Sequence, residues 1–112
     1  MEVSSERCGD VLVAGVSGRI DPKSAGTLEA TITKALQNGD RAVILDFEQL
    51  TYIGNVGLRA LRITARILRD REVSLAICAP QGVVAAVFAG SGADRLIKVY
   101  PSRAAALEAL KD

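Results

Sequence analysis

The sequence predicts a single α/β domain built on a mostly parallel sheet. Three observations carry this. Apolar runs of strand length alternate with apolar patterns of helical period along the whole chain. The helical stretches span three to four turns, enough to carry the chain back over a sheet in right-handed βαβ units. Residues 42–47, A-V-I-L-D-F, are almost continuously apolar, as in a strand covered on both faces. The chain of 112 residues is one ordinary domain, 1–112, long enough for one core.

The elements follow in order. Residues 11–16, V-L-V-A-G-V, form a strand, and the preceding E-V-S-S-E-R is a candidate edge partner. Asp21 is a natural N-cap with Pro22 at the first helical position, and Asn38-Gly39 supplies a stop. Between them Leu28, Ile32, Ala35 and Leu36 share one face at helical spacing. The strand 42–47 comes next, then a helix over about 55–70 and a strand over 73–78. Pro80 opens a helix from 81 to about 89, which ends at Gly90-Ser91-Gly92. A short strand over 95–99 and a closing helix A-A-A-L-E-A-L-K, 104–111, complete the chain. No internal repeat, low-complexity segment or linker interrupts it.

Composition narrows the chemistry. At 49% hydrophobic and 24% charged, with net charge +1, the chain is globular and has no global field that favours nucleic acid. It has no Trp and only two Tyr and two Phe for stacking on bases. No apolar run reaches the ~20 residues of a membrane span, and M-E-V-S-S-E-R-C is too polar for a signal peptide. The cytoplasm is therefore expected, without membrane insertion. The absence of His excludes Ser-His-Asp and Cys-His catalysis and His-containing zinc sites. Cys8 and Cys78 lack metal-ligand spacing, and Cys78 in V-S-L-A-I-C-A reads as a buried small hydrophobe. Gly90-Ser91-Gly92 follows a helix and lacks a third glycine, and no Gly-Lys-Ser/Thr occurs, so neither nucleotide loop is present. Asp46 and Glu48 read as solvated or capping carboxylates. No enzyme, metal or cofactor is expected.

The informative stretch is Y-I-G-N-V-G-L, 52–58, and the helix it opens. At 100° per residue Leu58, Leu61, Ala65 and Leu68 form one stripe, and Arg59, Arg62, Arg66 and Arg69 a second. Val56, Ala60, Ile63 and Ile67 form a third, roughly opposite the first. A surface helix needs one apolar stripe; this one has two, with arginines between them along one side. Either neighbouring helices bury the second stripe, or it is a partner surface edged by guanidinium groups. The same strip would also serve a homodimer. The turn itself holds no reactive group, but Asn55 can cap the helix and Gly57 allows close backbone approach.

Three segments resemble the STAS domain, the family of sulfate transporter and anti-sigma factor antagonist domains. G-R-I-D, 18–21, resembles its Gly-x-Leu/Ile-Asp before the first helix. V-I-L-D-F-E-Q-L-T-Y-I-G-N-V-G-L, 43–58, resembles its apolar strand, Asp, short loop and Asp-Ser-Ser/Thr-Gly-Leu. V-F-A-G-S-G, 87–92, resembles its Phe-x-x-Ser-Gly. The resemblance implies the STAS fold, a βα superhelix with about five strands and about four helices. In the antagonists, the Ser or Thr before that Gly-Leu is a phosphorylation switch. Unphosphorylated, the domain binds an anti-sigma factor that is itself a serine kinase; phosphorylated, it releases it. Here Gly54 stands for the Asp, Asn55 for the first Ser, and Val56 for the phosphoacceptor. The implied partner-binding set is Asp21, Gly54, Asn55, Val56, Gly57, Arg59, Ala60, Ile63 and Ile67. Either another hydroxyl (Thr51, Thr64, Ser91 or Ser24) accepts phosphate, or Val56 holds the domain permanently competent to bind. The alternative function is a STAS subunit or regulator of a membrane transporter, of ABC lipid-transport or sulfate-transporter type, partnered by an ABC ATPase or permease.

Overall fold

A computed structural model describes residues 1–110. Strands β1 (Glu2–Cys8), β2 (Val11–Ile20), β3 (Ala42–Asp46), β5 (Ser74–Cys78) and β6 (Lys98–Tyr100) lie in the order β1-β2-β3-β5-β6, and β4 (Leu50–Ile53) pairs with the far end of β2. Only β1 runs antiparallel. The helices are α1 (Pro22–Ala35), α2 (Asn55–Asp70), α3 (Gly82–Ser91) and α4 (Arg103–Leu110). This is the expected α/β architecture, with six strands rather than about five. Lys111 of the expected closing helix and Asp112 lie outside the described residues.

Strand β4 is the element that periodicity does not reveal. Its four residues are too few to establish an alternation, and it exists because β2 is long. Residues 11–15 of β2 pair with β3; from Gly18↔Leu50, across an irregularity at Gly18/Arg19, β2 pairs with β4 as far as Ile20↔Ile53. The strand expected over 95–99 is also shifted. Ala93–Arg95 form a 3-10 turn, Ile97 is buried, and pairing begins at Lys98. Helix α1 ends at Ala35, before Asn38-Gly39, and α3 runs on to Gly92 in the left-handed conformation.

The main core lies beneath α1, α2 and α3. Leu12, Val43, Leu45 and Ile77 from the sheet meet Leu28 and Ile32 of α1, Leu58, Leu61 and Leu68 of α2, and Phe88 of α3. Helix α4 covers the opposite face, where Ala106 packs over Val11, Val13, Ile44 and Cys78. Asp46 is a half-buried pin for this helix: its Oδ2 accepts from Arg103 Nε (3.1 Å) and Nη2 (2.9 Å), and its Oδ1 from the Glu48 amide (3.0 Å). Arg103 also pairs with Glu6. The expected solvated or capping role of Asp46 is thus partly met, through the Glu48 amide. Cys78 is fully buried; that burial, with the Asp46 charge beside it, pushes the thiol up to about 12.

Candidate functional site

The end of the parallel β2–β4 pair builds the site. Ile20 and Ile53 are in register, and each strand stops there, so α1 and α2 start side by side. Asp21 caps α1 through a reciprocal pair of bonds: its Oδ1 accepts from the Ser24 amide (2.9 Å), and Ser24 Oγ accepts from the Asp21 amide (3.0 Å). The Ser24 amide first, and then the Ser24 hydroxyl, which donates to the same Oδ1 (3.0 Å), hold the Asp21 carboxyl below its ordinary pKa of 3.8. Asp21 therefore lies beside the 52–58 turn, with its carboxylate committed to the helix end.

Helix α2 begins differently. Gly54 is its N-cap and makes no side-chain cap bond, while Asn55 is already the first helical residue. The expectation that Asn55 caps this helix is corrected: the chain enters from Ile53 in extended form, and the position with non-helical backbone is Gly54. A Cβ on Gly54 would lie 2.8 Å from the Tyr52 hydroxyl. The Tyr52 ring occupies that side of the turn, beneath the Arg19 guanidinium, whose carbon is 4.2 Å from the ring centroid. At Gly57 the close approach is real. A Cβ there would meet Ile20 Cγ2 and Ile53 Cγ1, each at 2.8 Å, and Ile20 O at 3.3 Å. Gly57 thus seats α2 directly on the ends of β2 and β4.

The three stripes of α2 separate cleanly. Leu58, Leu61, Ala65 and Leu68 are buried in the core. Val56 and Ile63 remain 49% and 44% exposed, with Ala60 and Ile67 half-buried. The second apolar stripe is therefore only partly covered, with Val56 and Ile63 left open. Arg59, Arg66 and Arg69 are exposed; Arg62 leans toward α3 and donates to Ser91 O at 3.1 Å. Val56, Arg59, Ala60 and Ile63 form one wall of a groove of about 380 Å³, and Pro22, Ala25, Gly26 and Glu29 of α1 form the other. Ile67 lies beyond it. On the α1 wall only Pro22 is singled out from the sequence, as a helix start and not as part of a site. The sequence signal for the groove itself is Gly26, a helix-weakening residue inside an otherwise helical pattern.

The alternative hydroxyls differ in access. Thr64 is completely buried and donates to Ala60 O (2.8 Å). Ser24 is engaged in the α1 cap, and Ser91 bridges Phe88 O and the Ala93 amide. Thr51 is exposed, with its hydroxyl donating to Gly18 O (2.9 Å). Among the described residues no group of three or more His, Cys, Asp or Glu could hold a metal ion, and no helix is long and apolar enough to cross a membrane.

Comparison with known proteins agrees with the fold. The family model of the STAS domain matches residues 2–106. The chain is 32% identical over 111 residues to BtrV of Bordetella bronchiseptica, named as an anti-sigma factor antagonist, covering 99% of this chain and 96% of that protein. The crystal structure of an anti-sigma factor antagonist from Mycobacterium paratuberculosis superposes with a TM-score of 0.87 at 28% identity, covering 99% of this chain and 94% of that one. The STAS domain of a SulP transporter from Vibrio cholerae shares the fold, with a TM-score of 0.70 at 20% identity over 89% of this chain and 78% of that one. The chain belongs to the STAS domain family.

Proposed function

We propose that this protein is a non-enzymatic binding module that acts as an anti-sigma factor antagonist. Its partner is an anti-sigma factor of the serine-kinase type, docked on the start of α2 at Gly54, Asn55, Val56, Gly57 and Arg59 and along Ala60, Ile63 and Ile67, with Asp21 beside them. The observation that carries the reading is Val56: an aliphatic side chain in the first turn of α2, 49% exposed and continuous with the strip that α1 leaves open. In the family pattern this is the phosphoacceptor position. A phosphate dianion there would sit at a helix N-terminus and repel a docked partner. Valine accepts none, so the domain stays competent to bind. All four of the other named hydroxyls are bonded to backbone, and Thr51 alone of them is exposed, which supports a permanently active form over a displaced switch.

The test is affinity capture of the tagged protein from lysate of its own source, followed by calorimetry with the purified partner. Capture of a kinase-type anti-sigma factor is expected. Val56→Glu should weaken its binding by ~1–3 kcal/mol by desolvating an unpaired carboxylate. An unchanged affinity removes this turn from the interface. Capture of an ABC ATPase or a permease instead assigns the protein to a transporter.

A further inference from the structure

Resting on that docking reading, we infer that the α1–α2 groove seats an amphipathic helix of the anti-sigma factor, and that Gly26 holds the groove open for one large aliphatic side chain. Gly26 lies in the body of α1, exposed, and without the left-handed backbone that calls for glycine. A Cβ built there meets no atom within 4 Å. Nothing inside the molecule requires glycine at this position, although it weakens the helix relative to alanine. Gly57 is the opposite case, with a Cβ jammed against Ile20 and Ile53. The space at Gly26 opens into the groove, facing Val56, Ala60 and Ile63. Its use is therefore external.

The walls define the occupant. Val56, Ala60 and Ile63 are spaced 4 and 3 along α2, two turns of apolar lining that match the i, i+3/i+4 anchors of a helix laid between two helices. Glu29 stands on the α1 wall and Arg59 on the α2 wall. A helix with an aliphatic stripe, a basic residue toward Glu29 and an acidic one toward Arg59 complements both. A second copy of this chain does not. None of its described helices presents large exposed aliphatic residues edged by carboxylates on one face: α2 edges its strip with arginine, and the exposed Val83 of α3 lies in a helix without charge.

The experiment titrates the purified kinase-type anti-sigma factor of the source organism into Gly26→Ala, Gly26→Leu and Val56→Glu variants of the full chain, each checked by thermal unfolding. Gly26→Ala should raise Tm by about 2–6 °C, since the fold gains a better helix former without a clash, and should bind more weakly than the parent. Gly26→Leu should fold normally and lose at least about 30-fold in affinity by filling the seat. Gly26→Leu within twofold of the parent, with Val56→Glu weakened, overturns the seat and leaves the docking turn standing. Both variants unchanged overturns the docking reading with it. A lowered Tm for Gly26→Ala also overturns the inference, because the fold itself would then need the glycine.

Discussion

Substituting alanine for Gly57 tests how α2 is seated. In a helix this change is ordinarily worth about 0.5–1 kcal/mol of added stability. Here the new Cβ would lie 2.8 Å from both Ile20 Cγ2 and Ile53 Cγ1 and 3.3 Å from Ile20 O. Neither isoleucine has room to yield: they are in register at the ends of paired strands and at most 2% exposed. The carbonyl oxygen also accepts from the Gly54 amide at 3.4 Å, so moving it disturbs the turn. Overpacking of this kind costs about 1–3 kcal/mol. The clash outweighs the propensity gain, for a net loss of about 1–2 kcal/mol. With a urea m-value near 1.5 kcal/mol/M, the unfolding midpoint followed by circular dichroism should fall by about 0.7–1.3 M. A midpoint equal to or above the parent's would refute the reasoning. It would mean that α2 does not rest on Ile20 and Ile53 as described.

Three further outcomes follow from the packing. Cys78, buried and with its thiol pushed up to about 12, should resist an aromatic disulfide reagent at pH 8 while exposed Cys8 reacts; one fast thiol in native protein and two in denaturant are expected. The Asp21 carboxyl is held below its ordinary 3.8, so its stabilising effect is full above that value and is lost as pH falls through the lower folded pKa. Asp21→Asn should reduce the steepness of acid unfolding below about pH 4, read from the pH dependence of Tm. Arg103→Met removes both guanidinium bonds from half-buried Asp46 and leaves it the Glu48 amide and the neighbouring Cys78 thiol. It should cost about 1–2 kcal/mol and speed hydrogen exchange in α4 well before α1 or α2.

The legible parts of the fold are those in which neighbours along the chain decide the outcome. The Asp21-Pro22 start of α1 follows from local hydrogen bonding and a fixed φ, and the structure shows the cap. Helix α2 spans the expected 55–70, and of its stripes Leu58, Leu61, Ala65 and Leu68 form the buried face. Cys78 and strand β3 are buried as their apolar runs imply. Local rules misplace the ends. Asn55, a better cap by type than glycine, is already helical because the chain leaves Ile53 extended and turns at Gly54. Strand β4 escapes notice because its pairing with β2 depends on a bulge more than thirty residues away.

The candidate site divides the same way. The sequence by itself determined the turn at 52–58, the valine at position 56, and the apolar strip with its arginine edge. Periodicity records that a side chain repeats along a helix face; it carries no information on what lies opposite that face. Only the tertiary structure decided that α1 stands beside α2, because Ile20 and Ile53 end their strands in register. The exposure of Val56 and Ile63, the groove against Pro22, Ala25, Gly26 and Glu29, and the contrast between an open Gly26 and a jammed Gly57 all follow from that one pairing. These are contacts between residues some thirty positions apart, and their distances are set by how strands align in a sheet rather than by anything local to either helix.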